Sequence, residues 1–114
     1  MTVRRLKAYT AATGFVYQYY FVGQRPAEDA TEYIFDVTAD RKRYFPISIL
    51  LPRQCVVTWN AAHQRDLIGA EQYAAAKLRL MRAFDELDNL EQQGSRLTLD
   101  AILLDALLTG LGVD

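Results

Sequence analysis

What this sequence has least of decides most of what it excludes. A single cysteine, Cys55, stands among 114 residues. No intrachain disulfide can form, and a reducing compartment, the cytoplasm, is expected, because small secreted domains usually carry several cysteines. A single histidine, His63, leaves too few ligands for a zinc site, and no metal or other cofactor is expected. The glycines at 14, 23, 69, 94, 110 and 112 make neither a GxGxxG nor a Walker phosphate loop, and no GxSxG elbow occurs. Long apolar runs are missing as well. Phe15–Val22 is interrupted by Gln18 and far too short to span a bilayer, so no membrane partner is expected. Neither sign of charge dominates: Lys plus Arg is 13, Asp plus Glu is 14, and the net charge is −1. Nucleic acid would therefore need a local patch rather than a global field, and self-association meets little repulsion.

What is present is apolar and patterned. Hydrophobic residues make up 51% of the chain, enough for one core in a chain of this length. The first half reads as strands. Phe15–Val22 is aromatic and β-branched between Gly14 and Gly23, and Gln24–Thr31, with Pro26, reads as a polar connection. Glu32–Ala39 alternates, with Tyr33, Phe35 and Val37 on one face. A charged hairpin tip, Asp40–Arg43, leads into Tyr44–Leu51, where Phe45, Ile47, Ile49 and Leu51 share a side. Pro46 lacks an N–H and places that strand at an edge, or itself at the strand's start. Val3–Tyr9 is a candidate fourth strand.

The second half reads as helices. Pro52 suits a first helical turn running to about His63. After a break at Asp66–Gly69, with Gly69 as N-cap and Ile68 stapling onto Tyr73, a helix is expected from Ala70 to about Leu90. Its apolar stripe is Tyr73, Ala76, Leu80, Ala83, Phe84 and Leu87. A polar turn around Gly94 follows. Thr98 then caps a helix over Leu99–Leu108, although the alternation in Leu97–Ala101 makes a strand the rival there. The expected fold class is α+β in a single domain. An antiparallel three- to four-stranded meander (residues 1–51) is packed on one face by two or three C-terminal helices (residues 52–114).

Three functional readings follow. The first is a non-enzymatic homo-oligomeric interaction module. Leu99–Leu111 is apolar around most of a helix, more than one sheet face can cover, and a homodimer is expected through it or through an edge strand. The second is nucleic-acid binding, with Tyr20 and Tyr44 stacking on bases and Arg41, Lys42 and Arg43 holding phosphates. The third is a small-ligand binder or enzyme with a pocket near His63, walled by Tyr17, Tyr19, Trp59 and Tyr73. No catalytic residue is assigned. Cys55 and His63 lie eight residues apart on one helix, about 12 Å, too far for a thiol–imidazole dyad. The acidic residues Asp85, Glu86, Asp88, Asp100 and Asp105 read as solvated helix positions rather than metal ligands.

Overall fold

A computed structural model describes residues 5–114. The chain is α+β, and a five-stranded sheet in the order β1-β2-β3-β4-β5 is packed by helices on one face. The strands are β1 (Lys7–Thr10), β2 (Val16–Ala27), β3 (Ala30–Thr38), β4 (Phe45–Pro52) and β5 (Arg96–Thr98). Helices α1 (Arg53–His63), α2 (Gly69–Glu86) and the single turn α3 (Leu90–Gln93) connect β4 to β5, and α4 (Ala101–Gly110) follows. The first four strands form the expected antiparallel meander. The fifth, from the helical half, pairs parallel to β4 over Ser48–Leu50.

Alternation is what builds the core. Tyr17 and Tyr19 on β2, Tyr33, Phe35 and Val37 on β3, and Phe45, Ile47, Ile49 and Leu51 on β4 all point into the helical layer and are buried. Ala76, Leu80, Ala83 and Phe84 on α2 meet them, as the 3.6-residue period requires. Phe84 lies stacked on Tyr17, with ring centroids 4.6 Å apart and planes at 9°. Tyr73 sits edge-on to Phe21 at 4.9 Å.

Several boundaries differ from expectation, each for a local reason. Gln24–Thr31 is a tight hairpin rather than a connection, with Ala27 paired to Ala30 across Glu28 and Asp29. Glu28 takes the left-handed backbone (φ 55°) usually given to glycine or asparagine, so no turn residue advertised it. Pro26 is tolerated because β1 pairs with β2 only over Val16–Tyr19, leaving Pro26 without a described strand neighbour on that side. β4 is an interior strand rather than an edge; Pro46 sits near its start, before β5 begins at Ser48. The fourth strand is found at Lys7–Thr10, and the Val3 end of the expected segment lies outside the described residues.

The helical half also shifts. Pro52 ends β4 and caps α1 rather than opening its first turn. Ile68, not Gly69, is the N-cap of α2. Its expected staple is not made, since Ile68 is 60% exposed. Instead Glu71 accepts the Ile68 N–H at 3.0 Å. α2 stops at Glu86 rather than Leu90, because Asp88 and Asn89 are poor helix interiors and Asn89 caps α3 by accepting from Gln92 N. Gly94 follows α3 so closely that a Cβ there would stand 2.8 Å from Leu90 Cδ1. Over residues 96–110 both rival readings hold in part. Arg96–Thr98 is strand, and the cap of α4 is Asp100, accepting from Leu103 N at 2.7 Å, rather than Thr98.

Phe84 joins the two layers, so Phe84→Ala should cost about 3–5 kcal/mol, whereas Ile68→Ala should fall within about 0.5 kcal/mol of the parent. Urea denaturation followed by circular dichroism checks both.

Candidate functional site

Three concavities carry the chemistry-bearing side chains. The first lies between α1 and α4. It is about 260 Å3, lined by Thr58, Trp59, Ala62, His63, Ala101, Ile102 and Asp105. His63 is stacked on Trp59, with centroids 4.1 Å apart and planes at 15°, and its Nε2 is 2.8 Å from Asp105 Oδ1. Arg65 covers Trp59 with its guanidinium 4.9 Å from the ring and forks onto Glu71 through two 2.9 Å hydrogen bonds. Cys55 is buried on the same helix. Its thiol donates to the Leu99 carbonyl at 3.6 Å, and burial pushes its pKa up, so no activated thiolate stands beside the imidazole.

The structure thus brings Trp59 and His63 together and sets Tyr17, Tyr19 and Tyr73 elsewhere. Those three tyrosines belong to the aromatic cluster with Phe84, Phe35 and Phe21 between sheet and α2. Burial raises the pKa of each. The groove at His63 is walled by α4 rather than by the sheet.

The second concavity, about 280 Å3, lies on the other side of α4 against α2, lined by Leu78, Ala106, Leu107, Gly110 and Leu111. α4 is therefore a ridge between two apolar grooves. Its inner side buries Leu104 and Leu108. Ile102, Ala106 and Gly110, spaced four apart, form the opposite stripe, and Ile102 is 84% exposed. Gly110 closes the helix where an added Cβ would meet nothing within 4 Å. Packing within one chain does not require glycine there.

The third concavity, about 330 Å3, opens where the β1–β2 turn, the β3–β4 hairpin tip, the end of α2 and α3 meet. Its walls include Phe15, Tyr17, Phe45 and Phe84, and four carboxylates line it: Asp40, Asp85, Asp88 and Glu91. Among the described residues Arg43 is the one cation in the lining, and it forks onto Glu91, tying the hairpin tip to α3. Asp85 accepts from Tyr9 OH and Ala12 N, each at 2.8 Å, which fastens β1 and its turn to α2. Asp85 and Asp88 converge on this cleft while Glu86 turns to Arg82 at 3.0 Å, a sorting that helical periodicity alone did not reveal. The clue in the sequence was Phe15, an aromatic residue beside the turn glycine Gly14.

On the outer sheet face Tyr20 and Tyr44 lie together, ring centroids 5.8 Å apart. Tyr20 OH donates to Asp36 at 2.7 Å, and Glu32 accepts from Arg25 at 2.8 Å and Ser48 at 2.6 Å. The Arg25 hydrogen bond, then that of Ser48, holds the Glu32 carboxyl below the usual carboxylate range. Arg41 and Lys42 are exposed at the tip, while Arg43 is turned to Glu91. The tip is organised by Asp40, whose carboxylate accepts the Arg43 and Lys42 backbone N–H groups at 2.9 and 2.8 Å. Among the described residues no group of three His, Cys, Asp or Glu side chains could hold a metal ion, and no helix is long and apolar enough to cross a membrane.

Compared with protein-family models, curated proteins and solved structures, the chain gives no match. Its function has to be argued from its own surface.

The hydrogen bonds to Asp40, first from the Arg43 amide and then from Lys42, lower its pKa from 3.8 to about 2. A depressed folded-state pKa stabilises fully above the unfolded value, and that stabilisation is lost as pH falls through the folded value. Asp40→Asn should therefore remove part of the stability loss between about pH 4 and pH 2. Thermal melts of both proteins across that window measure it.

Proposed function

We propose that this protein is a non-enzymatic assembly module that pairs with a second copy of itself through α4. The single observation that carries this reading is Ile102. It is a large aliphatic residue, 84% exposed, at the crest of a ridge with an apolar groove on each side. Burying such a side chain is worth about 1.5–3 kcal/mol, and nothing among the described residues provides that burial.

A second copy is the occupant that fits. Antiparallel pairing about a two-fold axis through Ala106 sets the Ile102 of each copy over the Gly110 of the other, because the two positions lie four residues either side of Ala106. A knob then meets the groove formed by Leu78, Leu107, Gly110 and Leu111. The glycine in that groove has open space where a side chain would be. Along the stripe no residue is charged, and flanking Asp105 is held by His63. A standard interface takes about 800 Å2 from each partner, roughly a ninth of the 6986 Å2 of this chain. Ten residues of helix, about 15 Å, fall short of that alone. Leu111 beyond α4, about half exposed and lining the groove against α2, widens the patch.

Light scattering during gel filtration should give about twice the 13.0 kDa chain mass. Ile102→Glu and Gly110→Leu should each return it to one chain with an unchanged circular dichroism spectrum. A monomeric parent protein at roughly 100 μM, a hundredfold above a micromolar Kd, contradicts the reading.

A further inference from the structure

The cleft at the end of the sheet shares no lining residue with either groove beside α4, and it is chemically unlike them. We infer that it is a binding site for a small organic ammonium ion with an apolar, preferably aromatic, body. At about 330 Å3 it stands at the small end of ligand pockets, so a compact molecule fits and a nucleotide does not.

The recognition chemistry is legible group by group. Phe15 is 52% exposed and inclined to Tyr17 at 5.3 Å, while Tyr17 is locked flat on Phe84. A ligand ring or chain finds an aromatic wall whose inner members are fixed by the core, and little ordering remains to be done on binding. Aromatic faces attract an ammonium group through their quadrupole. Tyr17, itself buried, lines the cleft, and its hydroxyl has no hydrogen-bond partner among the described residues, which leaves it an acceptor for an N–H.

Charge sets the sign of the ligand. Four carboxylates face one guanidinium, and Glu91 already neutralises that guanidinium. Asp40 is occupied by backbone amides, and Asp85 is held by Tyr9 and Ala12. Asp88 is exposed and has no hydrogen bond or ion pair among the described residues, so it is the carboxylate free to pair with a cation. An anion entering the cleft would meet repulsion from Asp40, Asp85 and Asp88, and Arg43, the cation in the described lining, is already paired with Glu91.

Titration of the full chain with phenethylammonium, 2-phenylethanol and phenylacetate, followed by NMR chemical shifts, separates the contributions. The ammonium ion should bind at Phe15, Tyr17 and Asp88, the neutral alcohol roughly tenfold more weakly, and phenylacetate not at all up to about 10 mM. Asp88→Asn should weaken the ammonium ion about tenfold toward the alcohol's affinity, and Phe15→Ala should weaken all binding. Both residues are exposed, so neither change should unfold the chain. Equal affinity for alcohol and ammonium, shifts confined to other residues, or no shift with the ammonium ion would overturn the assignment.

Discussion

The stacking of Phe84 on Tyr17 is the contact from which the rest of the architecture follows. It fixes how α2 lies across the sheet, and α2 carries outward from that point the groups that fasten everything else at that end. Asp85, the next residue, holds β1 and its turn through Tyr9 and Ala12. Leu87 and Leu90 continue the apolar floor into α3, whose Glu91 grips the β3–β4 hairpin through Arg43. One side of one helix turn therefore organises the sheet edge, the hairpin tip and the cleft between them. Moving Phe84 would disturb all three together.

That arrangement also apportions the apolar surface. The inner sheet face is filled by α2 and by the buried sides of α1 and α4, while the outer face carries polar pairings such as Tyr20 with Asp36 and Glu32 with Arg25 and Ser48. A 114-residue chain that is 51% hydrophobic still has aliphatic surface left over. It falls on α4, where Leu104 and Leu108 face inward and Ile102 faces out. The two proposed sites differ because their surroundings differ. The α4 ridge is aliphatic and nearly uncharged and suits another helix. The cleft by Phe15 is aromatic and acidic and suits a small cation.

Much of this was legible in the sequence because strict periodicity leaves few alternatives. The alternation from Tyr33 to Leu51 and the 3.6-residue stripe from Tyr73 to Leu87 each specify one buried face, and those faces meet. Where the reading failed, the determining contact was distant or unusual. Arg96–Thr98 becomes a strand because β4 has an open side at Ser48–Leu50, which no local pattern displays. The Glu28–Asp29 hairpin uses a non-glycine residue in left-handed backbone. The cleft gathers residues from three separate segments, 13–17, 39–45 and 84–91, and only the folded chain brings them together. His63 was singled out for its rarity and read beside Trp59 on the same helix, but its partner Asp105 emerges only once α4 is placed against α1.

The claim on which the functional account turns is that α4 faces its own copy with Ala106 at the symmetry axis. Facing Cα atoms of two packed helices approach within the reach of a disulfide, about 4.4–6.8 Å. Ala106→Cys is therefore the most direct probe, and the native Cys55 thiol, buried and hydrogen-bonded to Leu99, stays out of the reaction. Under mild oxidation Ala106→Cys should convert to a covalent dimer, while a cysteine at Gln54 of α1, which is also exposed, should not. A chain that remains uncrosslinked at position 106, or that crosslinks as readily from position 54, would contradict the account.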